Sequence, residues 1–181
     1  RLYLTHGRHG YDIQTKEGTN LKGTAARIWR CWPDGTELER FAGGGFDNPV
    51  EILFTDAGEM LGTMTYFTNP MFGQRDALMH WTWGGVYPKG GEVIAEFIRT
   101  GPDLMPVMSK FSRIAPAGLE RYRGTAFGKD YTNSLFSAQF NPHRIQRHTL
   151  IREGATYRTE DSDFLTCSNP DFYPTDALED A

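Results

Sequence analysis

Cysteine is scarce: the chain holds only Cys31 and Cys167. They form no CxxC pair, which excludes a zinc knuckle or an attached haem within the segment. Two unpaired, half-buried thiols are the plainer expectation, since free cysteine packs as a small apolar residue. No apolar run approaches the roughly 18 residues of a membrane span. Basic residues are outnumbered, 19 Lys and Arg against 23 Asp and Glu, for a net charge of −4. A nucleic-acid binder would show a basic stripe instead. No GxSxG elbow, no HExxH pair and no Lys-Ser/Thr after Gly43-Gly44-Gly45 occur, so the signatures of three common enzyme classes are missing. No charged-then-apolar leader is present, and the segment runs from Arg1 into an acidic stretch, Leu178-Glu179-Asp180-Ala181. Both ends are expected to be cut from a longer protein.

Turn formers and aromatics are plentiful. There are 20 glycines and 10 prolines, and aromatic residues make up 13%. Aromatics suit the pleated, half-buried surface of a strand, so the chain reads as all-β. Leu2-Tyr3-Leu4, Arg27 to Trp32, Glu37 to Ala42, Val50 to Thr55 and Met60 to Tyr66 read as strands. Asp34-Gly35 and Asp56-Ala57-Gly58 supply the turns. Gly35 and Gly58 lie 23 residues apart, so a four-stranded unit takes about twice that, a propeller-blade length. A weak repeat agrees. Phe46 to Ile52, Ile114 to Leu119 and Phe172 to Leu178 each place a proline just before an apolar strand, at Pro49, Pro116 and Pro174. Proline fits there because its missing N–H breaks no ladder bond. Asn69 to Lys89 reads as a long loop. Val93, Ile94, Phe97 and Ile98 share a helical face, so one short helix is expected near 92–100, ended by Gly101-Pro102. Strands resume at Ser134 to Phe140 and Arg144 to Ile151.

Chemistry could sit in several places. His6 and His9 lie in a glycine-bounded loop, as backbone-bonded histidines, substrate contacts or two ligands of a metal short of its third. Asp47-Asn48 precedes a strand and either faces a ligand pocket or caps a turn. His80-Trp81-Thr82-Trp83-Gly84-Gly85-Val86-Tyr87-Pro88 is either a stacking wall or a plug between sheets. Arg144, Gln146 and His148 share one strand face, expected to be solvated. Glu160-Asp161-Ser162-Asp163 lacks the spacing of a calcium loop and reads as an acidic turn.

The phrases RLYLTHGRHGYD, ARIWRCWPDG, GFDNPVE, HWTWGGVYP, IAPAGLERYRG and DFYPTDALEDA resemble the "membrane-bound dehydrogenase" propeller proteins of planctomycete-type bacteria. Those are distant relatives of the glucose/sorbosone dehydrogenases, six-bladed propellers that use pyrroloquinoline quinone (PQQ) and calcium. The resemblance implies that residues 1–181 are about three blades of a single six-bladed β-propeller domain. It implies an exported, periplasmic or secreted sugar or polyol dehydrogenase whose small-molecule partner is a carbohydrate or glycan. The family's long members often carry a c-type haem domain. Its Arg-Asn pair corresponds to Asp47 and Asn48, with the arginine replaced, and a later Arg-x-Arg cluster falls near Tyr173 to Asp176, where no arginine stands. Its aromatic loop corresponds to Gly84 to Pro88. The implied substrate- or cofactor-facing residues are therefore Asp47, Asn48, His80 and Tyr87. The base histidine is expected upstream of Arg1, and no metal ligand is assigned. The altered arginines leave a second reading open, a non-catalytic glycan- or protein-binding propeller anchored by Trp81 and Trp83. A lactonase-type metal propeller is a third, weaker one.

Overall fold

A computed structural model of the chain describes residues 1–65, 76–88 and 92–180. The fold is all-β, a partial β-propeller built of three four-stranded sheets and one extra hairpin. The chain divides into two compact units.

The first unit contains Arg1–Pro49 and Trp81–Pro106. Its sheet runs β1 (Leu2–His6), β4 (Ala26–Cys31), β5 (Glu39–Gly44) and β9 (Val86–Tyr87). The β1–β4 and β4–β5 pairs are antiparallel, and β9 joins β5 in parallel. β2 (Tyr11–Gln14) and β3 (Asn20–Gly23) form a separate hairpin between β1 and β4. The core of this unit is aromatic. Phe46 is fully buried, with the Trp81 ring 5.0 Å and the Tyr87 ring 6.4 Å away between centroids.

The second unit contains Val50–Met64, the segment ending at His80, and Val107–Ala181. One sheet runs β6 (Asn48–Phe54), β7 (Met60–Thr65), β8 (Ala77–Trp81) and β10 (Ser109–Lys110) in the order β10-β8-β7-β6. The other is a plain meander, β11 (Pro116–Arg121), β12 (Leu135–Gln139), β13 (Arg144–Glu153) and β14 (Thr156–Thr166). Leu61 and Leu78 from the first sheet and Leu119 and Leu135 from the second share one apolar cluster with Phe111 and Ile114. Burial of this kind, at roughly 25 cal/mol per Å2, is the main force holding sheet on sheet.

Several expectations are corrected. The stretch read as one loop carries β8 and β9. Its first part, residues 66–75, lies outside the described residues. The helix near 92–100 is a single 3-10 segment, Glu92–Glu96. So short a segment needs a buried face to hold an α-helix, and Ile98 instead points fully into solvent. The acidic run at 160–163 lies inside β14, the longest strand, with Arg144 and His148 drawn onto its carboxylates. The third proline repeat enters no strand. Gly118 N–H donates to Thr175 O at 2.8 Å, so that segment lies beside β11 as an irregular strap. Cys31 and Cys167 are free thiols, as read.

Candidate functional site

In the first unit the loop after β1 closes on the turn before β6. Arg8 Nε lies 2.9 Å from Asp47 Oδ1, and Arg8 N–H donates to Asp47 O at 3.0 Å. The Asp47 carboxylate has no solvent exposure, while the Arg8 side chain keeps 36%. A buried carboxylate needs such a partner, because an unpaired charge away from water is costly. Gly7 makes the approach possible. A Cβ there would stand 2.8 Å from Asp47 O and 3.4 Å from Asn48 Oδ1. Asn48, half-buried, opens β6 beside this ion pair. The sequence singled out Asp47 and Asn48 but left Arg8 without a role. The signal was present, since an aspartate entering an apolar strand needs a cation from some other loop.

Tyr87 lies deeper than expected. It is fully buried, its hydroxyl accepts the Thr82 N–H at 2.8 Å, and burial pushes its pKa up to about 12. Its ring meets Trp81 edge-on at 4.7 Å. The two tryptophans of the aromatic stretch differ in burial. Trp81 is a buried plug, whereas Trp83 is 64% exposed with the Arg30 guanidinium 5.2 Å from its ring centre.

His80 belongs to the second unit. Its Nδ1 lies 3.1 Å from Thr156 Oγ1, and its ring is 5.8 Å from Tyr157. Tyr157 donates its hydroxyl proton to Glu59, which also takes a 2.5 Å hydrogen bond from Arg152. Burial lowers the His80 pKa, the Glu59 carboxylate opposes this, and Arg152 adds to it. The ring is thus held neutral at ordinary pH and can accept a proton.

Two further constellations went unread. Glu51 on β6 feels the charges of Asp176 and Glu120. Burial raises its pKa first, the Ile52 N–H pulls it back, and the two carboxylates raise it again. An acid with a raised folded pKa loses stability as the pH climbs through that value. Glu51→Gln is therefore expected to raise the melting temperature at pH 7, with the gain vanishing below about pH 4, where both states carry a neutral group. Melts between pH 3.5 and 7.5 check this, and a gain independent of pH would contradict it.

The second constellation crosses three strands. Ser137 Oγ lies 2.8 Å from His148 Nε2, and His148 Nδ1 lies 2.7 Å from Asp161 Oδ1. Gln139 continues the chain, donating from Nε2 to Ser137 Oγ at 3.3 Å and to Gln146 Oε1 at 2.6 Å. Its own Oε1 accepts from Arg144 Nε at 2.7 Å. The expected solvated face of β13 is thus corrected: Gln146 and His148 are buried. The order Ser-His-Asp matches that of an acyl-transfer triad. Ser137 has 0% exposure, however, and an acyl group has no approach to its oxygen. The relay holds strands together. Among the described residues no group of three or more His, Cys, Asp or Glu side chains is placed to hold a metal ion. Among them, too, no helix is long and apolar enough to cross a membrane.

Comparison with solved structures places the fold. The chain is similar to the crystal structure of a proposed oxidoreductase of the glucose dehydrogenase type from Thermus thermophilus. The TM-score is 0.58 at 18% identity, over 78% of this chain and 43% of that one. The likeness is one of fold, a β-propeller, and this chain spans less than half the length of the structure it matches. No protein-family model matches the sequence, and no curated protein matches it.

Proposed function

We propose that the chain forms part of an exported sugar- or polyol-oxidising dehydrogenase of the quinone-dependent kind, in the planctomycete-type propeller family its phrases resemble. The observation that carries the reading is the Arg8–Asp47–Asn48 arrangement. At the position where the resemblance expects an arginine beside an asparagine, the sequence has Asp47, which would repel a polycarboxylate. Arg8 reaches across from another loop and pairs with that aspartate. A cation is thus brought to the residue that precedes Asn48, and a guanidinium with an amide nearby would suit a carboxylate or a vicinal diol.

These residues fit one part of the implied cofactor set. Arg8 and Asn48 would hold a carboxylate of PQQ. When bound, that quinone supplies the two-electron acceptor for a hydride leaving the sugar carbon. Calcium is a different matter: among the described residues no three His, Cys, Asp or Glu side chains gather to hold it, and no step is assigned to it. Within this chain Asp47 fixes the guanidinium, Asn48 orients the ligand, and the buried Tyr87, Trp81 and Phe46 keep the turn rigid.

The test is dye-linked oxidation of a panel of aldoses and polyols by the full-length protein with PQQ. Arg8→Gln should weaken quinone binding roughly 10- to 100-fold, the loss of one charge-assisted hydrogen bond. Absence of turnover on every sugar, or an unchanged quinone affinity in the variant, would overturn the reading. Trp83 favours a second reading, a non-catalytic glycan-binding module, because an exposed tryptophan backed by Arg30 is a ready stacking platform. Glycan-array binding lost in Trp83→Ala, with no redox activity, would select it.

A further inference from the structure

A cavity of about 530 Å3 opens on one face of the first unit's sheet, lined by none of the residues of the Asp47 turn. That volume is within the roughly 300–1,000 Å3 of ordinary small-ligand sites. Its floor is the β4–β5 surface, with Arg27 and Arg40. One wall is the β2–β3 hairpin, with Tyr11 and Lys22, and the other is the end of the 3-10 segment, with Glu96 and Phe97.

The charges in this cavity do not cancel. Arg27 is buried, with its guanidinium carbon 4.0 Å from the Phe97 ring centre and 5.9 Å from that of Tyr11. Its carboxylate partner among the described residues is Glu96, at a long 3.3 Å. That carboxylate is already engaged. Glu96 Oε1 accepts the Thr24 N–H at 2.6 Å, the Ala25 N–H at 3.1 Å and the Thr24 hydroxyl. Gly23 leaves room for this, since a Cβ there would stand 2.5 Å from both Glu96 Oε2 and the Tyr11 hydroxyl. Arg27 Nε is left buried with no hydrogen-bond partner among the described residues. Arg40 is exposed and lies about 6.0 Å from the Tyr11 and Trp29 ring centres, with no carboxylate beside it among the described residues. Among the described residues, Lys22 is matched only by the exposed Asp12, 3.3 Å away.

We infer that this cavity binds a carboxylated sugar, a uronate, either free or as the end unit of an acidic glycan. A guanidinium recognises a carboxylate through two parallel N–H donors. The Tyr11 and Phe97 rings offer apolar faces to the C–H side of a pyranose. The buried Arg27 Nε–H, with no partner among the described residues, favours a ligand that brings an acceptor to it, because unmade hydrogen bonds are expensive. A neutral sugar would satisfy the rings and leave the cations uncompensated. The site is independent of the quinone reading and shares no residue with the Arg8 arrangement.

Titration calorimetry of the intact chain tests the inference, with glucuronate, galacturonate, glucose, glucose 6-sulfate and benzoate as ligands. Uronates should bind at least tenfold more tightly than glucose, and more weakly as salt is added, because the site is open to solvent. Arg40→Gln removes an exposed side chain and is not expected to disturb folding. It should weaken uronate binding at least tenfold and leave glucose unchanged. Arg158→Gln, an exposed arginine of the second unit, should change neither. Three outcomes would overturn the inference. Uronates could bind no better than glucose, benzoate or the sulfate could match them, or the two arginine variants could weaken binding equally.

Discussion

Asp161→Ala is expected to cost about 1–3 kcal/mol, the usual penalty for stranding a buried polar group. Asp161 accepts the Nδ1–H of His148, whose ring has no exposure at all. That bond fixes the tautomer, leaving Nε2 to accept the Ser137 hydroxyl proton. Ser137 can then accept from Gln139, so each donor in the chain meets an acceptor. Without the carboxylate, the Nδ1–H of this buried ring loses the acceptor it has in the fold. For a chain of this length each kcal/mol lowers the melting temperature by roughly 2–4 °C. Asp161→Asn should behave differently, because its side-chain oxygen still accepts the bond. The same pair makes a pH prediction. Burial acts most strongly and would raise the Asp161 pKa, but the hydrogen bond and charge of His148, the Thr159 hydroxyl and Arg144 together outweigh it, and the group ends below its ordinary value. Its contribution is present above the unfolded value near 3.9 and is lost as the pH falls through the lower folded value. Acid unfolding should therefore be less steep in Asp161→Asn than in the native protein. Identical acid limbs, or an alanine variant as stable as the native chain, would remove the relay from the account.

Phe46→Ala should cost more, about 3–5 kcal/mol, through lost burial and the cavity left between rings. Phe46 fills the space beside Trp81 and Tyr87, and all three are almost wholly out of water. It also sits next to Asp47, so slackening here should loosen Arg8 as well. Urea unfolding measures the stability change, and quinone affinity measures the second effect. A loss below about 1 kcal/mol would mean that the three rings do not form the packed plug described.

Much of the architecture was legible because it rests on local rules. β4 and β5 alternate and are joined by Asp34-Gly35, and β6 and β7 are joined by Asp56-Ala57-Gly58. β8 was missed because Ala77-Leu78-Met79-His80-Trp81 is buried almost throughout and shows no alternation, next to glycines that suggest a loop. β14 was missed for the opposite reason. Its Thr159 to Asp163 stretch is polar on both faces, which reads as a turn until Arg144 and His148 are seen to pair with it. The helix over 92–100 satisfied the periodicity, but Glu96 is drawn onto Thr24 and Ala25, a contact some seventy residues away. The Ser137–His148–Asp161 relay depends on register. Leu135 faces His148 and His148 faces Asp161 across the ladders, and no spacing in one dimension encodes that. Arg8 at Asp47 is likewise a meeting of two loops, visible beforehand only as an aspartate in need of a cation.

Amide hydrogen exchange read by mass spectrometry tests the central claim, that four-stranded sheets with sealed middle strands carry the loops and cavities described. Leu135–Gln139, held between β11 and β13 and wholly buried, should exchange among the slowest segments, together with Ala26–Cys31. The 92–100 segment should exchange early. Fast exchange across Leu135–Gln139, or helix-like protection through 92–100, would contradict the account.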